Sequence, residues 1–103
     1  MVRVTIKEEN GKINSILVSG HAEYDVEGRD IVCAGISSVL TGGCNAICLE
    51  DENAALIVNE KGNVSIKVVD MNNDTIQIIL KTIVVQLKTI ETSYKKYIKI
   101  INK

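Results

Sequence analysis

Ile76-Gln77-Ile78-Ile79-Leu80-Lys81-Thr82-Ile83-Val84-Val85-Gln86-Leu87-Lys88-Thr89-Ile90 decides the fold class. Ile76, Ile79, Leu80, Ile83, Val84, Leu87 and Ile90 recur at spacings of three and four, the repeat of one helix face. A helix with one apolar stripe needs a second layer to bury it. Asn73 or Asp74 is placed to cap its start, and Asp74 with Gln77 has capping-box spacing. Upstream, Ala55 to Asn59 and Val64 to Val69 read as a hairpin turned at Lys61-Gly62-Asn63; downstream, Tyr97 to Ile101 reads as a strand.

The first half of the chain reads as two strands, a loop and a helix. Val2, Val4 and Ile6 alternate with Arg3, Thr5 and Lys7, the pattern of a half-buried strand. Asn10-Gly11 suits a two-residue turn, whose central positions need positive φ. Ile13 to Ser19 is the return strand, and Gly20 ends it. Residues 21–30 have no period and form a loop of the length that often carries function. A buried helix is expected from Cys33 to about Glu50, with Cys33, Ile36, Leu40, Cys44, Ile47 and Cys48 on or near one face. Ile31-Val32 reads as strand-like before it, Asp30 or a near neighbour stands where an N-cap acid belongs, and Gly42-Gly43 marks a kink or a close approach of another backbone. The order ββαββαβ implies one domain over residues 1–103: a two-layer α+β fold, a mainly antiparallel sheet with two helices.

With no Phe and no Trp, the core must be aliphatic. A net charge of −1 disfavours a general nucleic-acid binder. Charge is uneven, however: residues 23–30 hold Glu23, Asp25, Glu27 and Asp30 against Arg29, whereas lysines dominate from Lys81 onward. Solvated surface is the plain reading of both runs; the sharper one is an acidic loop that attracts a basic substrate. No run of about 18 apolar residues suggests a membrane span, and Met1-Val2-Arg3-Val4 lacks a signal peptide's apolar block. The expectation is a cytoplasmic protein with Cys33, Cys44 and Cys48 reduced. Ile78 and Val85 lie off the main stripe of the second helix, which points to a partner surface, most simply that of a homodimer.

Two residues carry chemistry. His21, the one histidine, directly follows Gly20 at the mouth of the loop. Cys33 stands where a helix begins, and the dipole and unpaired N–H groups there favour a thiolate. The same N–H groups are candidate donors for the oxyanion of an acyl-transfer intermediate. A thiol with one imidazole to take its proton is the minimal set for nucleophilic catalysis, provided the loop folds back. Asp30 either orients the imidazole or caps the helix, with the cap favoured. Cys44 and Cys48 read as core fillers: too few ligands accompany them for a metal, and no Gly-rich phosphate loop or other cofactor motif is present.

Ser19-Gly20-His21-Ala22-Glu23-Tyr24 followed by Gly28-Arg29-Asp30-Ile31-Val32-Cys33-Ala34-Gly35-Ile36-Ser37 resembles the ribosomal-processing cysteine protease family Prp. Length and element order fit the same family from end to end. The resemblance implies a small homodimeric bacterial endopeptidase. It would remove the N-terminal extension of the large-subunit ribosomal protein L-twenty-seven precursor, with no cofactor. It implies His21 and Cys33 as the catalytic dyad, Gly20 and Ser37 at the substrate site, Asp30 in support, and a mobile loop between the dyad residues. The stretch Leu40-Thr41-Gly42-Gly43-Cys44 departs from it in being poor in helix formers. A non-enzymatic ribosome-associated module, binding RNA through the basic C-terminal region, is the alternative; it lacks an aromatic stacking platform. A thiol redox protein is a third reading, without the usual Cys-x-x-Cys pair.

Overall fold

A computed structural model of the chain describes residues 1–60 and 62–103. β1 (Val2–Glu9) and β2 (Lys12–Ser19) form the first hairpin, with Asn10 and Gly11 both at positive φ in its turn. α1 (Ile31–Glu50), β3 (Ala55–Glu60), β4 (Asn63–Val68), α2 (Asp74–Ser93) and β5 (Ile98–Asn102) follow. The five strands make one sheet in the order β3-β4-β2-β1-β5, antiparallel throughout except where β5 lies parallel to β1. This is the two-layer α+β arrangement in the expected order. Of the residues assigned to the second turn, Lys61 lies outside the described residues.

Register explains the core. Ile57, Ile66, Ile16 and Ile6 stand opposite one another across four strands. Ile6, Ile16 and Ile66 are fully buried in one aliphatic cluster with Ile36, Leu40 and Ile47 of α1 and Ile76, Leu80, Ile83 and Leu87 of α2. By length and composition α1 is apolar enough to cross a membrane; in this fold its Val32, Ile36, Leu40 and Ile47 belong to the core.

Three local expectations are corrected. Ile31 and Val32 are helical: the Asp30 carboxylate caps the chain, and α1 begins two residues before the expected start. Cys44 is half-buried against the core, but Cys48 is exposed: the buried stripe passes through Ile47, one position (about 100° of helical turn) away. Asn73 caps α2 through Oδ1, which accepts from the Ile76 N–H, and the Asp74–Gln77 capping box does not form. Gln77 instead points inward, accepting from the Ile13 N–H at 2.8 Å and donating to the Ile13 carbonyl at 2.9 Å. β4 pairs with β2 only from Ser15 to Ser19, so Gln77 supplies the partners that Ile13 lacks on that side.

Gly42-Gly43 leaves α1 continuous. What approaches Gly43 is a side chain: a Cβ there would overlap Ile83 Cδ1 and lie 2.5 Å from Ile83 Cγ1. Ile83 is buried and β-branched, so it has little room to yield. Gly43→Val is therefore expected to lower stability by about 2–4 kcal/mol. Gly42 has open space around it, and Gly42→Ala should gain up to ~1 kcal/mol from helix propensity. Urea unfolding of the two variants checks this; equal midpoints would refute the close helix crossing.

Candidate active site

β2 ends at Ser19, flanked by Arg3 of β1 and Asn63 of β4. Gly20 continues the ladder by donating its N–H to the Gly62 carbonyl at 3.0 Å, then turns the chain away at φ +89°. Only glycine fits, since a Cβ would lie 2.5 Å from the Met1 carbonyl oxygen as well as meeting a left-handed backbone. The turn sets His21 beside the second hairpin, with Nε2 3.4 Å from where a Cβ on Gly62 would stand. Ala22 dips back into the core, and the loop runs on at the surface through Glu23 to Arg29.

Asp30 gathers the far end of that loop. Its Oδ1 accepts from the Cys33 N–H at 2.9 Å, and its Oδ2 accepts from the Tyr24 N–H at 2.9 Å and the Asp25 N–H at 3.4 Å. Burial pushes its pKa up, but the backbone donors of Cys33, Tyr24 and Asp25, with the Cys33 side chain, outweigh this and hold it below its ordinary 3.8. Of the two roles open to it in the sequence, the hydrogen bonds give it the cap, and they add a tie to the loop.

Cys33 is half-buried on the first turn of α1, with its Sγ accepting the Ala22 N–H at 3.3 Å. Two of the N–H groups at the start of α1 are already engaged. The Cys33 N–H is taken by Asp30 Oδ1, and the Ala34 N–H by the Asp30 carbonyl at 3.0 Å. The backbone donor that meets the sulfur comes from across the cleft, at Ala22.

Two clefts flank the pair. One, of about 660 Å³, has Glu23, Asp25, Glu27 and Gly28 along the loop side and Cys33, Ala34 and Ser37 along α1. The other, of about 220 Å³, runs past Gly20, Asn59 and Gly62. His21, Cys33 and Ser37 line both. The structure thus brings Gly20, His21, Asp30, Cys33 and Ser37 to one end of the sheet, whereas Cys44 and Cys48 sit farther along α1. Burial, then the neighbouring Cys48, pushes the Cys44 thiol pKa up. Among the described residues no group of three or more His, Cys, Asp or Glu side chains is placed to hold a metal ion. Sequence reading missed Ala22 as a neighbour of Cys33 and Gly62 as a neighbour of His21. The turn at Gly62 was legible, but no local pattern links it to a histidine forty-one residues earlier.

The depressed Asp30 pKa fixes a pH dependence. A carboxylate more acidic in the folded state contributes stability above its unfolded pKa and loses it as pH falls through the lower folded value. Below about pH 4 the loop and the start of α1 should therefore loosen. Asp30→Asn keeps a capping oxygen but replaces the second oxygen with a donor that cannot accept from Tyr24. Thermal melts at pH 3 and pH 6 should show a smaller difference for Asp30→Asn than for the parent; equal differences would remove Asp30 as the source.

A thiol and an imidazole line the same two clefts, and cysteine peptidase is the class this arrangement defines. The model of the family described as cysteine protease Prp matches residues 1–99, and the chain belongs to that family. The ribosomal processing cysteine protease Prp of Staphylococcus aureus is 42% identical over 101 residues, spanning 96% of this chain and 94% of that protein. Its Bacillus subtilis counterpart is 31% identical over 107 residues, spanning 97% and 96%. The crystal structure of the S. aureus protease with a covalently linked product peptide matches at a TM-score of 0.95 and 40% identity, covering all of both chains. The complex of that protease with a substrate peptide matches at 0.89 and 39%, again covering all of both chains.

Proposed function

We propose that this cysteine protease removes the N-terminal extension of a large-subunit ribosomal protein precursor, that of L-twenty-seven, using Cys33 as nucleophile and His21 as general base. The observation that carries the assignment is that thiol and imidazole line the same two clefts. The S. aureus relatives, named ribosomal processing proteases and solved with substrate and product peptides, support the substrate class.

His21 takes the Cys33 proton as sulfur attacks the scissile carbonyl carbon. The Ala22 N–H, held by the sulfur at rest, turns to the oxyanion that forms beside it. Collapse of this intermediate breaks the C–N bond, and the imidazolium gives its proton to the departing amine. Water, deprotonated by His21, then hydrolyses the thioester. Among the described residues no hydrogen bond joins imidazole and thiol at rest; such bonds often tighten only with substrate in place. Ser37 stands one helical turn beyond Cys33 at the edge of both clefts and contacts the bound peptide, and Gly20 lets it pass close to the backbone.

Glu23, Asp25 and Glu27 along the larger cleft suit a basic substrate, an attraction that salt at physiological strength screens beyond about 8 Å. The exposed Ile78 and Val85, 64% and 62% accessible, with the groove along Gly42 and Thr82, support a homodimer through the helical face. The site of action is the cytoplasm, where Cys33 stays reduced. Mass spectrometry of the extended precursor after incubation with the protein tests the proposal: one new amino terminus at the extension junction is expected, and an intact precursor refutes it.

A further inference from the structure

We propose that Tyr94 and Tyr97, neither of which lines the clefts, are positioning residues for proteolysis: they latch the active-site loop through the ring of Tyr24. The inference rests on the protease reading and extends it to residues more than sixty positions from the nucleophile.

Tyr24 belongs to the loop between β2 and α1, and its ring meets two others edge to face. The centroid of Tyr94 is 5.5 Å away at 88°, and that of Tyr97 is 5.0 Å away at 78°. Both are favourable aromatic geometries. The platform is firmly held: Tyr94 closes α2 by donating its N–H to the Ile90 carbonyl, Tyr97 donates to the Tyr94 carbonyl, and the Tyr97 carbonyl accepts from Val2 at the start of β1. Tyr24 itself is 40% exposed, so it docks on the core rather than within it.

From that ring the connection to the chemistry is short. The backbone N–H of Tyr24 donates to Asp30 Oδ2, and Asp30 Oδ1 accepts from the N–H of Cys33. Glu23 and Asp25, on either side of Tyr24, belong to the loop wall of the larger cleft. Ala22, two residues earlier, is the other anchor of this segment. Beyond it, the wall is fixed to the turn between α2 and β5 by aromatic contact at Tyr24 and to α1 by the Asp30 carboxylate. Removing the platform frees the wall but leaves the Asp30 cap on Cys33 in place. Its effect therefore falls on substrate capture more than on turnover.

The test compares the parent with Tyr97→Leu, Tyr97→Phe and Tyr24→Leu, using a peptide spanning the precursor junction. Both leucine variants should raise KM about tenfold with kcat within about twofold, the size expected when edge-to-face pairs are lost. Tyr97→Phe keeps the ring and should restore the parent KM. Hydrogen exchange at the Tyr24 amide should speed up about tenfold in Tyr97→Leu and not in Tyr97→Phe. Should Tyr97→Leu fail to fold, Tyr24→Leu, which alters an exposed loop residue, still decides the matter. A parent-like KM in Tyr24→Leu overturns the latch, as does equal damage from Tyr97→Phe and Tyr97→Leu. If the parent cleaves nothing, the protease reading fails, yet the exchange rates still report whether the rings hold the loop.

Discussion

Cys33→Ala should abolish cleavage of the junction peptide, a loss on the order of 10⁴-fold or more, while leaving the fold intact. The sulfur is half-buried, and its one backbone contact is the Ala22 N–H at 3.3 Å, so the stability change should stay within about 1 kcal/mol. His21→Ala should be nearly as inactive. Its ring is exposed at the cleft mouth, so the scaffold should again be untouched. The two losses should not add, because nucleophile and base act as a unit. Initial rates on the peptide and urea unfolding of each variant provide the check. Full activity in Cys33→Ala would exclude sulfur as the nucleophile whatever else the protein does.

Gly20→Ala should damage both stability and activity. The added methyl meets a left-handed backbone at φ +89° and lies 2.5 Å from the Met1 carbonyl oxygen, a backbone atom that cannot rotate away. The conformational cost is about 1–2 kcal/mol, and overpacking adds roughly 1–3 kcal/mol. Any relief shifts residue 21, so cleavage should fall even where the domain still folds. Gly28→Ala is the matched control: its φ is +90°, but a Cβ there has nothing within 4 Å, so only the conformational part applies. Denaturant midpoints and kcat/KM for the two variants should diverge clearly; matching values would mean that the approach of β1 to residue 20 is unimportant.

What was legible in the sequence followed from period and punctuation. Alternation at Val2, Val4 and Ile6, the Asn10-Gly11 turn and the stripe from Ile76 to Ile90 identify their elements because burial of one face repeats at a fixed interval. His21 and Cys33 were legible because one follows a strand-ending glycine and the other begins a helix. Contacts between distant segments were not. Gln77 is a capping residue by spacing alone, and only the place where β4 stops pairing with β2 shows why it turns toward Ile13. Gly43 is a flaw in α1 until Ile83 is set against it. The start of α1 is a similar case: the Asp30 cap takes the Cys33 N–H, one of the groups that a bare helix end offers.

The meeting of Tyr24, Tyr94 and Tyr97 also has an optical consequence. The chain contains three Tyr, no Trp and no Phe, so its near-ultraviolet dichroism and intrinsic fluorescence come from that one cluster. A melt followed near 280 nm therefore watches the loop, while one followed at 222 nm watches the helices. Where the two curves separate, the gap measures how far the cleft wall detaches before the domain itself comes apart.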